Sequence, residues 1–323
     1  MKKTNVLITG AGGPAAICAF KALANEKNIE LFMADMSALA SGLYLVPPER
    51  RMCIPRGNHE AFADNLLKKC IEKNISIVFS TVDDELLPLA KRKSEFQRNG
   101  IQLCIAEEQS LQTILNKHAL LERLQRAGLE VGAFAKLTEL DTTQFPDTSI
   151  VVKPQSGSGS RGVCFYDSLD EIPKHKFNDQ ELMVQEQFQG QEYSVDMFMF
   201  PSGRILACVP RIRMRTDSGV SVTGQVVNNL RVISYAKEVV KILGLPYAAN
   251  VQIMDTAEGP RLIEINPRFS GGLSLVVQAG ANTPKMALEA MMGKEVQPVY
   301  QFNEVGMVRY FTEHFTNELI ALC

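Results

Sequence analysis

A stretch near the carboxyl end, residues 250–268, constrains the fold more than any other part of the chain. Its sequence is NVQIMDTAEGPRLIEINPR, in which a Gly-Pro break separates two apolar-rich runs. Alternating apolar and polar residues around such a break predict a β-hairpin. With the turn centred on residue 258, the predicted cross-strand pairs are Gln252 with Glu264 and Asn250 with Asn266.

The two faces of this predicted hairpin differ in chemistry, because side chains alternate along a strand. One face is apolar, and the other displays one carboxylate and three amides, with Arg268 following shortly after. Glu264 with the amide oxygens of Gln252 and Asn266 suits Mg²⁺, a hard ion that takes oxygen ligands and shares them with phosphates. The alternative is an ordinary hairpin with a solvated polar face. The predicted apolar face consists of Val251, Ile253, Ile263 and Ile265.

The same residues resemble the metal-binding end of the ATP-grasp superfamily, especially its carbamoyl-phosphate synthase and biotin carboxylase branch. The resemblance rests on Asn-Val-Gln at 250–252 and on Ile-Glu-Ile-Asn-Pro-Arg-Phe-Ser-Gly-Gly at 263–272. It implies that Gln252, Glu264 and Asn266 hold Mg²⁺, or Mn²⁺ in its place, on the phosphates of ATP. It also implies that Arg268 faces the reacting phosphoryl group. Many members carry a carboxylate at the position of Gln252, whereas carbamoyl-phosphate synthases carry glutamine.

Composition narrows the classes of function. A chain of 323 residues can form two or three compact units. The balance of 34 Lys and Arg against 36 Asp and Glu does not indicate a nucleic-acid partner. Seven scattered cysteines without a Cys-x-x-Cys pair favour neither a zinc site nor a disulfide framework, and no apolar run is long enough for a bilayer. We therefore expect a cytoplasmic protein without a membrane partner, and a homodimer is compatible with this composition.

Alternating strand and helix patterns over residues 1–110 predict a doubly wound parallel sheet. The first strand runs into Gly10-Ala11-Gly12-Gly13-Pro14-Ala15, and the second ends at Asp35. This spacing is typical of a dinucleotide fingerprint that would bind NAD, with Asp35 on a ribose. Two alternatives remain at this point: a tight turn that binds no nucleotide, and a wall of the acceptor-substrate site, which the resemblance implies.

A cluster of acidic residues, Asp83, Asp84 and Glu85, lies where another strand ends and a helix begins. Crevices at the carboxyl ends of parallel strands are where ligands bind. Simple capping of the helix by Asp83 or Asp84 is the plainer interpretation. Glu85 is a candidate for contact with an amine substrate.

Phosphate-binding residues are expected over residues 111–187. A strand at 150–154 ends at Lys153 and leads into a Gly/Ser-rich loop, where glycines permit close backbone approach to phosphate. The loop lacks the Gly-Lys-Ser/Thr ending of a Walker motif, and a flexible linker is the alternative. The resemblance also implies that Lys117, on a helix predicted at 110–127, reaches the ATP phosphates, although a lone lysine on a helix is usually solvated. The residues expected to fold over the phosphates are Ser158, Gly159, Arg161 and Gly162.

A strand at 182–188, a break at Gly190 and a second strand from 192 resemble the adenine-binding hinge of the superfamily. The resemblance implies that Glu186 and the backbone of Gln187 and Phe188 bind the adenine edge. Glu192 would then accept hydrogen bonds from the ribose hydroxyls. The alternative is that both glutamates face solvent.

Three arginines recur at every second position in a strand predicted at 205–215, namely Arg211, Arg213 and Arg215. On one face they would repel one another unless an anion were present. They indicate either a solvated edge strand or a site for a carboxylate or acyl phosphate, with Arg211 as a catalytic residue. The loop predicted at 216–224 could close over such a site.

Together these observations predict an α/β ATP-grasp fold with a Rossmann-like parallel-sheet domain (1–110), a small lobe (111–187) and a carboxyl-terminal lobe with the metal site (188–323). The resemblance implies an ATP-dependent carboxylate–amine ligase that acts on small molecules, such as an amino acid. It would form an acyl phosphate and release ADP and phosphate, with Lys153, Arg211 and Arg268 as catalytic residues. Alternatives are carbamoyl-phosphate-synthase-like activation of bicarbonate, an NAD-dependent oxidoreductase that uses the Gly10 loop, and a nucleotide-binding regulator without turnover.

Overall fold

Three β-sheets, one parallel and two antiparallel, organise the computed structural model, which describes residues 3–146, 148–157, 161–217 and 220–316. Each sheet lies within one of the three units expected from the sequence. The boundaries of these units stay a prediction. Within the described ranges, no helix has the length and apolarity that crossing a membrane requires.

The first unit is the predicted doubly wound parallel sheet, in the strand order β3-β2-β1-β4-β5. The order in which successive strands are added reverses between β1 and β4, although the two strands are parallel. A ligand crevice is therefore expected at their carboxyl ends. The strands are β1 (Thr4–Thr9), β2 (Ile29–Asp35), β3 (Arg51–Cys53), β4 (Ile75–Phe79) and β5 (Gln102–Leu103). The helices are α1 (Pro14–Leu23), α2 (Phe62–Glu72), α3 (Asp83–Lys91) and α4 (Lys93–Arg98).

The acidic cluster does not cap its helix, so that prediction is wrong. Val82 occupies the N-cap of α3, and no side chain accepts a capping hydrogen bond there. The three acids instead occupy the first turn, where carboxylates interact favourably with the helix dipole. Their side chains are therefore available for other partners.

The small lobe is an antiparallel sheet in the order β6-β9-β7-β8, preceded by two helices. The prediction of a single helix at 110–127 is wrong, because the helix is interrupted at Leu115 and Asn116. Asn116 caps the second helix by accepting a hydrogen bond from the Ala119 N–H over 2.9 Å, so Lys117 becomes the first helical residue. The elements are α5 (Glu108–Ile114), α6 (Lys117–Arg126), β6 (Phe134–Lys136), β7 (Ile150–Pro154), β8 (Cys164–Tyr166) and β9 (Leu182–Glu186).

The carboxyl-terminal lobe is a six-stranded antiparallel sheet in the order β14-β13-β10-β11-β12-β15. Its strands are β10 (Gln191–Met199), β11 (Ile205–Asp217), β12 (Val220–Val226), β13 (Tyr247–Thr256), β14 (Gly259–Asn266) and β15 (Gly306–Val308). Its helices are α7 (Leu230–Leu243), α8 (Leu273–Gln278) and α9 (Thr283–Met291).

Two predictions about β11 and the segment after it are wrong. β11 lies inside the sheet between β10 and β12, so it is not a solvated edge strand. The loop predicted at 216–224 is largely a β-hairpin, because Thr216 pairs with Ser221 and Asp217 with Val220. Residues 218 and 219 lie outside the described part of the chain.

One hydrophobic core joins the first unit to the hairpin at 247–266. It includes Leu7 of β1, Leu121 of α6 and Val240 of α7, and it reaches Val251 and Ile265 on the apolar face of the hairpin. The small lobe packs around a separate core that contains Ile150, Val152 and Val184. The hairpin is thus fixed to the parallel-sheet unit, while the small lobe covers its polar side.

Candidate active site

The β13–β14 hairpin has the cross-strand pairs predicted from the sequence. Gln252 lies opposite Glu264, and Asn250 lies opposite Asn266. The turn differs from the prediction. Thr256 pairs with Gly259 across a two-residue turn, whereas the predicted turn was centred on residue 258. A β-bulge next to Gln252 then shifts the register by one residue and restores the predicted pairs.

The bulge also corrects the predicted apolar face. Leu262, not Ile263, lies opposite Ile253 and is fully buried. Ile263 is half-buried and lines the cavity on the polar side of the hairpin. Its carbonyl oxygen accepts a hydrogen bond from Lys153 Nζ over 3.4 Å.

The polar face of the hairpin centres on Glu264. Gln252 Nε2 and Asn266 Nδ2 both donate to Glu264 Oε1, over 2.7 and 3.2 Å. Arg213 Nη1 donates to Gln252 Oε1 over 3.1 Å, and Arg268 Nη2 donates to Asn266 Oδ1 over 3.2 Å. Both predicted amide ligands are therefore in contact with the predicted carboxylate ligand.

This set of side chains fits Mg²⁺ in chemical type. One carboxylate and two amides provide hard oxygen ligands. In the described ranges no group of three His, Cys, Asp or Glu side chains could hold a metal ion. An ion at Glu264 would therefore take ligands from the amides and from phosphate, which is the usual way in which proteins hold Mg²⁺ on a nucleotide.

A cavity of about 300 Å³ lies between the small lobe and the hairpin. Its lining contains most of the predicted nucleotide contacts: Lys117, Lys153, Arg161, Glu186, Gln187, Phe188 and Glu192, together with Gln252 and Glu264. Gly162 lies against Pro154 and is not part of the lining, and Ser158 and Gly159 lie outside the described residues. Further apolar lining was not predicted and includes Val151, Val163, Phe165, Met254 and Ile263.

Two lysines give this cavity a cationic wall. Lys153 is buried and donates to Gln185 Oε1 over 2.6 Å. Burial, reinforced by the nearby charge of Lys117, lowers the pKa of Lys153 to about 8, although Glu264 opposes the shift. Burial also lowers the pKa of Lys117, whose Nζ donates to the Gly157 carbonyl over 2.7 Å. Both ammonium groups would gain from an anion in the cavity.

The predicted hinge residues line the cavity but already have partners. Glu186 Oε2 accepts from the Ala133 N–H over 3.2 Å, and the Gln187 N–H donates to the Ser149 carbonyl over 2.8 Å. Glu192 forms an ion pair with Arg213 over 2.5 Å. A ribose hydroxyl at Glu192 would therefore compete with this arginine.

The three arginines of β11 do not share one face, so that prediction is wrong. Arg211 and Arg213 line a second cavity, of about 510 Å³, whereas Arg215 is exposed beyond a register shift between β11 and β12. Repulsion is relieved because each inward arginine has its own carboxylate. Arg211 Nε donates to Asp196 Oδ2 over 2.8 Å inside the protein. Arg211 also lies so close to Gly272 that an added Cβ there would be 2.3 Å from the guanidinium carbon.

The Gly10 loop forms the opposite wall of this second cavity. The Gly12 N–H donates to Asp35 Oδ2 over 2.8 Å, and the Ser37 N–H donates to Oδ1 over 2.9 Å. A dinucleotide would need the Gly12 N–H for pyrophosphate and Asp35 for ribose. Because the two groups bond to each other, this arrangement disfavours the NAD interpretation.

Glu85 lies beneath this loop and is shielded from both substrate and solvent. It is 4% exposed and accepts hydrogen bonds from the hydroxyls of Thr9 and Ser80. Burial raises its pKa to about 7. The described structure therefore does not support a contact between Glu85 and an amine substrate.

A third cavity, of about 630 Å³, opens between α3 and the junction of α5 with α6. It is lined by the carboxylates of Asp83 and Asp84 and by apolar side chains such as Leu87 and Leu115. Glu264 lines all three cavities, so they meet at the centre of the hairpin's polar face. The walls of this third cavity come from five segments that are distant in the sequence, so local patterns indicated Asp83 and Asp84 but not the cavity as a whole.

Two family models match the chain. Residues 178–314 match an ATP-grasp model described as belonging to the biosynthetic pathway with Ter operon, and residues 6–104 match the PylC-like N-terminal domain. The carboxyl-terminal part of the chain thus matches an ATP-grasp family model, which confirms the predicted resemblance and fold class. The match agrees with the expected class of enzyme, an ATP-dependent ligase.

Solved ATP-grasp structures share the fold at low sequence identity. Biotin carboxylase from Campylobacter jejuni superposes with a TM-score of 0.75 at 15% identity, over 93% of this chain and 73% of that one. L-amino acid ligase from Bacillus licheniformis gives 0.69 at 19% identity, over 93% and 78%. Pyruvate carboxylase from Rhizobium etli gives 0.71 at 15% identity, and 91% of this chain spans only 29% of that larger protein. Among functionally curated proteins, none matches this chain.

Proposed function

We propose that the protein is an ATP-dependent carboxylate–amine ligase whose three cavities take ATP, a small carboxylate and an amine. The observation that supports this best is the position of Glu264, which lines all three cavities. Holding reactants next to one another in this way is the main contribution that a protein makes to phosphoryl transfer.

ATP would occupy the cavity of about 300 Å³. Its base would lie among the apolar side chains of Val151, Phe165 and Ile263, and its phosphates would extend toward Lys117 and Lys153. Glu264, Gln252 and Asn266 would hold Mg²⁺, or Mn²⁺, on those phosphates. When bound, the ion neutralises phosphate charge.

The carboxylate would occupy the cavity of about 510 Å³, which Arg211 and Arg268 line. A carboxylate oxygen attacks the γ-phosphorus, the bond from that phosphorus to ADP breaks, and an acyl phosphate results. Lys153 and Arg268 donate hydrogen bonds to the oxygens on which charge accumulates in the transition state. Arg211 orients the carboxylate.

The amine would enter through the cavity of about 630 Å³. Carboxylates at its wall favour an approaching ammonium group, and Leu87, Leu115 and Leu120 favour an apolar substituent on the amine. The ammonium group first loses a proton to become the nucleophilic amine. The amine then attacks the acyl carbon, a second proton leaves the nitrogen, and the bond from the acyl carbon to phosphate breaks, so that the products are an amide, ADP and phosphate.

The test is a screen for ADP and phosphate release over pairs of small carboxylates and amines, amino acids included, with mass spectrometry of the products. We expect ADP release that requires both partners and yields one equivalent of amide. ADP release with bicarbonate alone would favour carbamoyl-phosphate-synthase-like chemistry. Failure to bind ATP at all would contradict the proposed function.

A further inference from the structure

An unbroken chain of hydrogen bonds runs across the candidate active site. It begins at Glu192, which pairs with Arg213 over 2.5 Å, and it ends at Asp83, which pairs with Arg268 over 2.6 Å. Between the two arginines lie Gln252, Glu264 and Asn266, linked by the contacts described above. The nucleotide cavity, the metal ligands and the parallel-sheet unit are thus joined in one network.

The chemistry of this chain fixes which way both amides point. Guanidinium groups only donate hydrogen bonds, and carboxylates only accept them. The oxygens of Gln252 and Asn266 must therefore face Arg213 and Arg268, and their nitrogens must face Glu264. The orientation follows from the partners rather than from the assignment of amide atoms.

This orientation does not present the amide oxygens to a divalent cation at Glu264. A metal ion needs the amide oxygens, yet both oxygens are held by arginines, and Glu264 Oε1 already accepts two N–H groups. Each amide would have to turn over about its last bond, a torsion with a broad energy profile. The amides can turn only when the arginines release them.

We propose that Arg213 and Arg268 hold the metal site closed in the nucleotide-free protein and release it when anionic substrates engage their guanidinium groups. This inference rests on the proposed function. Arg213 is a positioning residue that holds the Gln252 oxygen away from the metal site. It lines the nucleotide cavity and contacts both Glu192 and Gln252. A ribose at Glu192 and a phosphate beside Arg213 would free Gln252, and metal and nucleotide would strengthen each other's binding reciprocally.

The test is titration of Mn²⁺ into the nucleotide-free protein, followed by electron paramagnetic resonance. Loss of a hydrogen bond from a charged donor changes affinity by about tenfold, so Arg213→Met should bind Mn²⁺ about tenfold more tightly than the wild type. Arg215→Met removes the same charge from an exposed position two residues along β11 and is the matched control. It should change the affinity less than about twofold.

A double-mutant cycle separates the effect of the Arg213–Gln252 hydrogen bond on Mn²⁺ affinity from the effect of removing a positive charge. If Arg213 acts by holding the Gln252 oxygen, Arg213→Met should have almost no effect on Mn²⁺ affinity in a Gln252→Ala background. An equal gain in both backgrounds would overturn the proposal, as would no gain, or no detectable Mn²⁺ binding in any variant. Thermal unfolding of each variant verifies folding. Wild-type protein that fails to bind ADP with Mn²⁺ would instead refute the proposed function.

Discussion

Arg268 and Asp83, 185 residues apart in the sequence, form an ion pair of 2.6 Å that joins the hairpin to the first turn of α3. Both side chains are largely buried, at 18% and 13% exposure. Arg268 Nε and Asp83 Oδ1 are buried without a hydrogen-bond partner among the described residues. The arginine expected at the reacting phosphoryl group is therefore anchored by the parallel-sheet unit, which also forms one wall of the cavity of about 510 Å³.

Removal of this anchor should destabilise the protein. Asp83→Asn leaves a largely buried guanidinium without its counter-charge, which should lower the free energy of unfolding by about 1–3 kcal/mol. Asp84→Asn is the matched control, because Asp84 pairs with Arg56 at 3.7 Å on a more exposed surface. That change should cost less than about 0.5 kcal/mol. Urea unfolding measures both, and equal effects would contradict the anchoring role.

The affinity for ATP should fall as the pH rises through the lowered pKa of Lys153. That pKa is about 8 in the free protein, and bound phosphate must raise it, because an anion favours the charged amine. Below about pH 8 the side chain of Lys153 is already protonated before ATP binds. Above about pH 8, ATP binding must include the uptake of a proton by Lys153, and this requirement weakens the affinity for ATP. Isothermal titration calorimetry between about pH 7.5 and about pH 9.5 measures this dependence.

Two variants assign that dependence to Lys153. Lys153→Met should bind ATP more weakly at every pH and with a flatter profile, the remaining slope coming from Lys117. Lys136→Met removes a half-exposed lysine of β6 that pairs with Glu139, and it should keep the wild-type profile. A wild-type slope in Lys153→Met would show that another group titrates.

Asn116 should matter for both stability and nucleotide binding, because it starts α6 and fixes Lys117. Asn116→Ala removes the cap and should cost about 1 kcal/mol of unfolding free energy, and it should weaken ATP binding through Lys117. Asn282→Ala removes the corresponding cap of α9, where Asn282 accepts from the Lys285 N–H over 3.0 Å. It should cost a similar amount of stability and leave ATP binding unchanged. Equal effects of both variants on ATP binding would refute the role of Asn116.

The fold was predictable from the sequence where local patterns carried it. Strand and helix alternation identified the parallel sheet, and the alternation on either side of a Gly-Pro break identified the hairpin. The pairing of Gln252 with Glu264 was predicted correctly although its premise was wrong, since a shorter turn and a bulge compensate for each other. A bulge leaves no periodic signal, which is why Ile263 was placed in the core.

Features that depend on tertiary contacts were not predictable. The break before α6 arises where Asn116 bridges to Ser156, a residue from another segment. The displacement of Arg215 follows from a register shift against β12, and the separate carboxylate partners of Arg211 and Arg213 come from β10. The apolar lining of the nucleotide cavity combines β7, β8 and the hairpin, and periodicity within any one of these segments cannot show the combination.

The most direct test of the account is the magnesium dependence of ATP binding in Glu264→Gln, measured by calorimetry with Mg²⁺ and with a chelator. Glu258→Gln, in the exposed turn of the same hairpin, is the control. We predict that Mg²⁺ tightens ATP binding at least about tenfold in the wild type and in the control, and that Glu264→Gln loses this gain while still binding metal-free ATP. Full magnesium dependence in Glu264→Gln would contradict the assignment of the hairpin as the metal site.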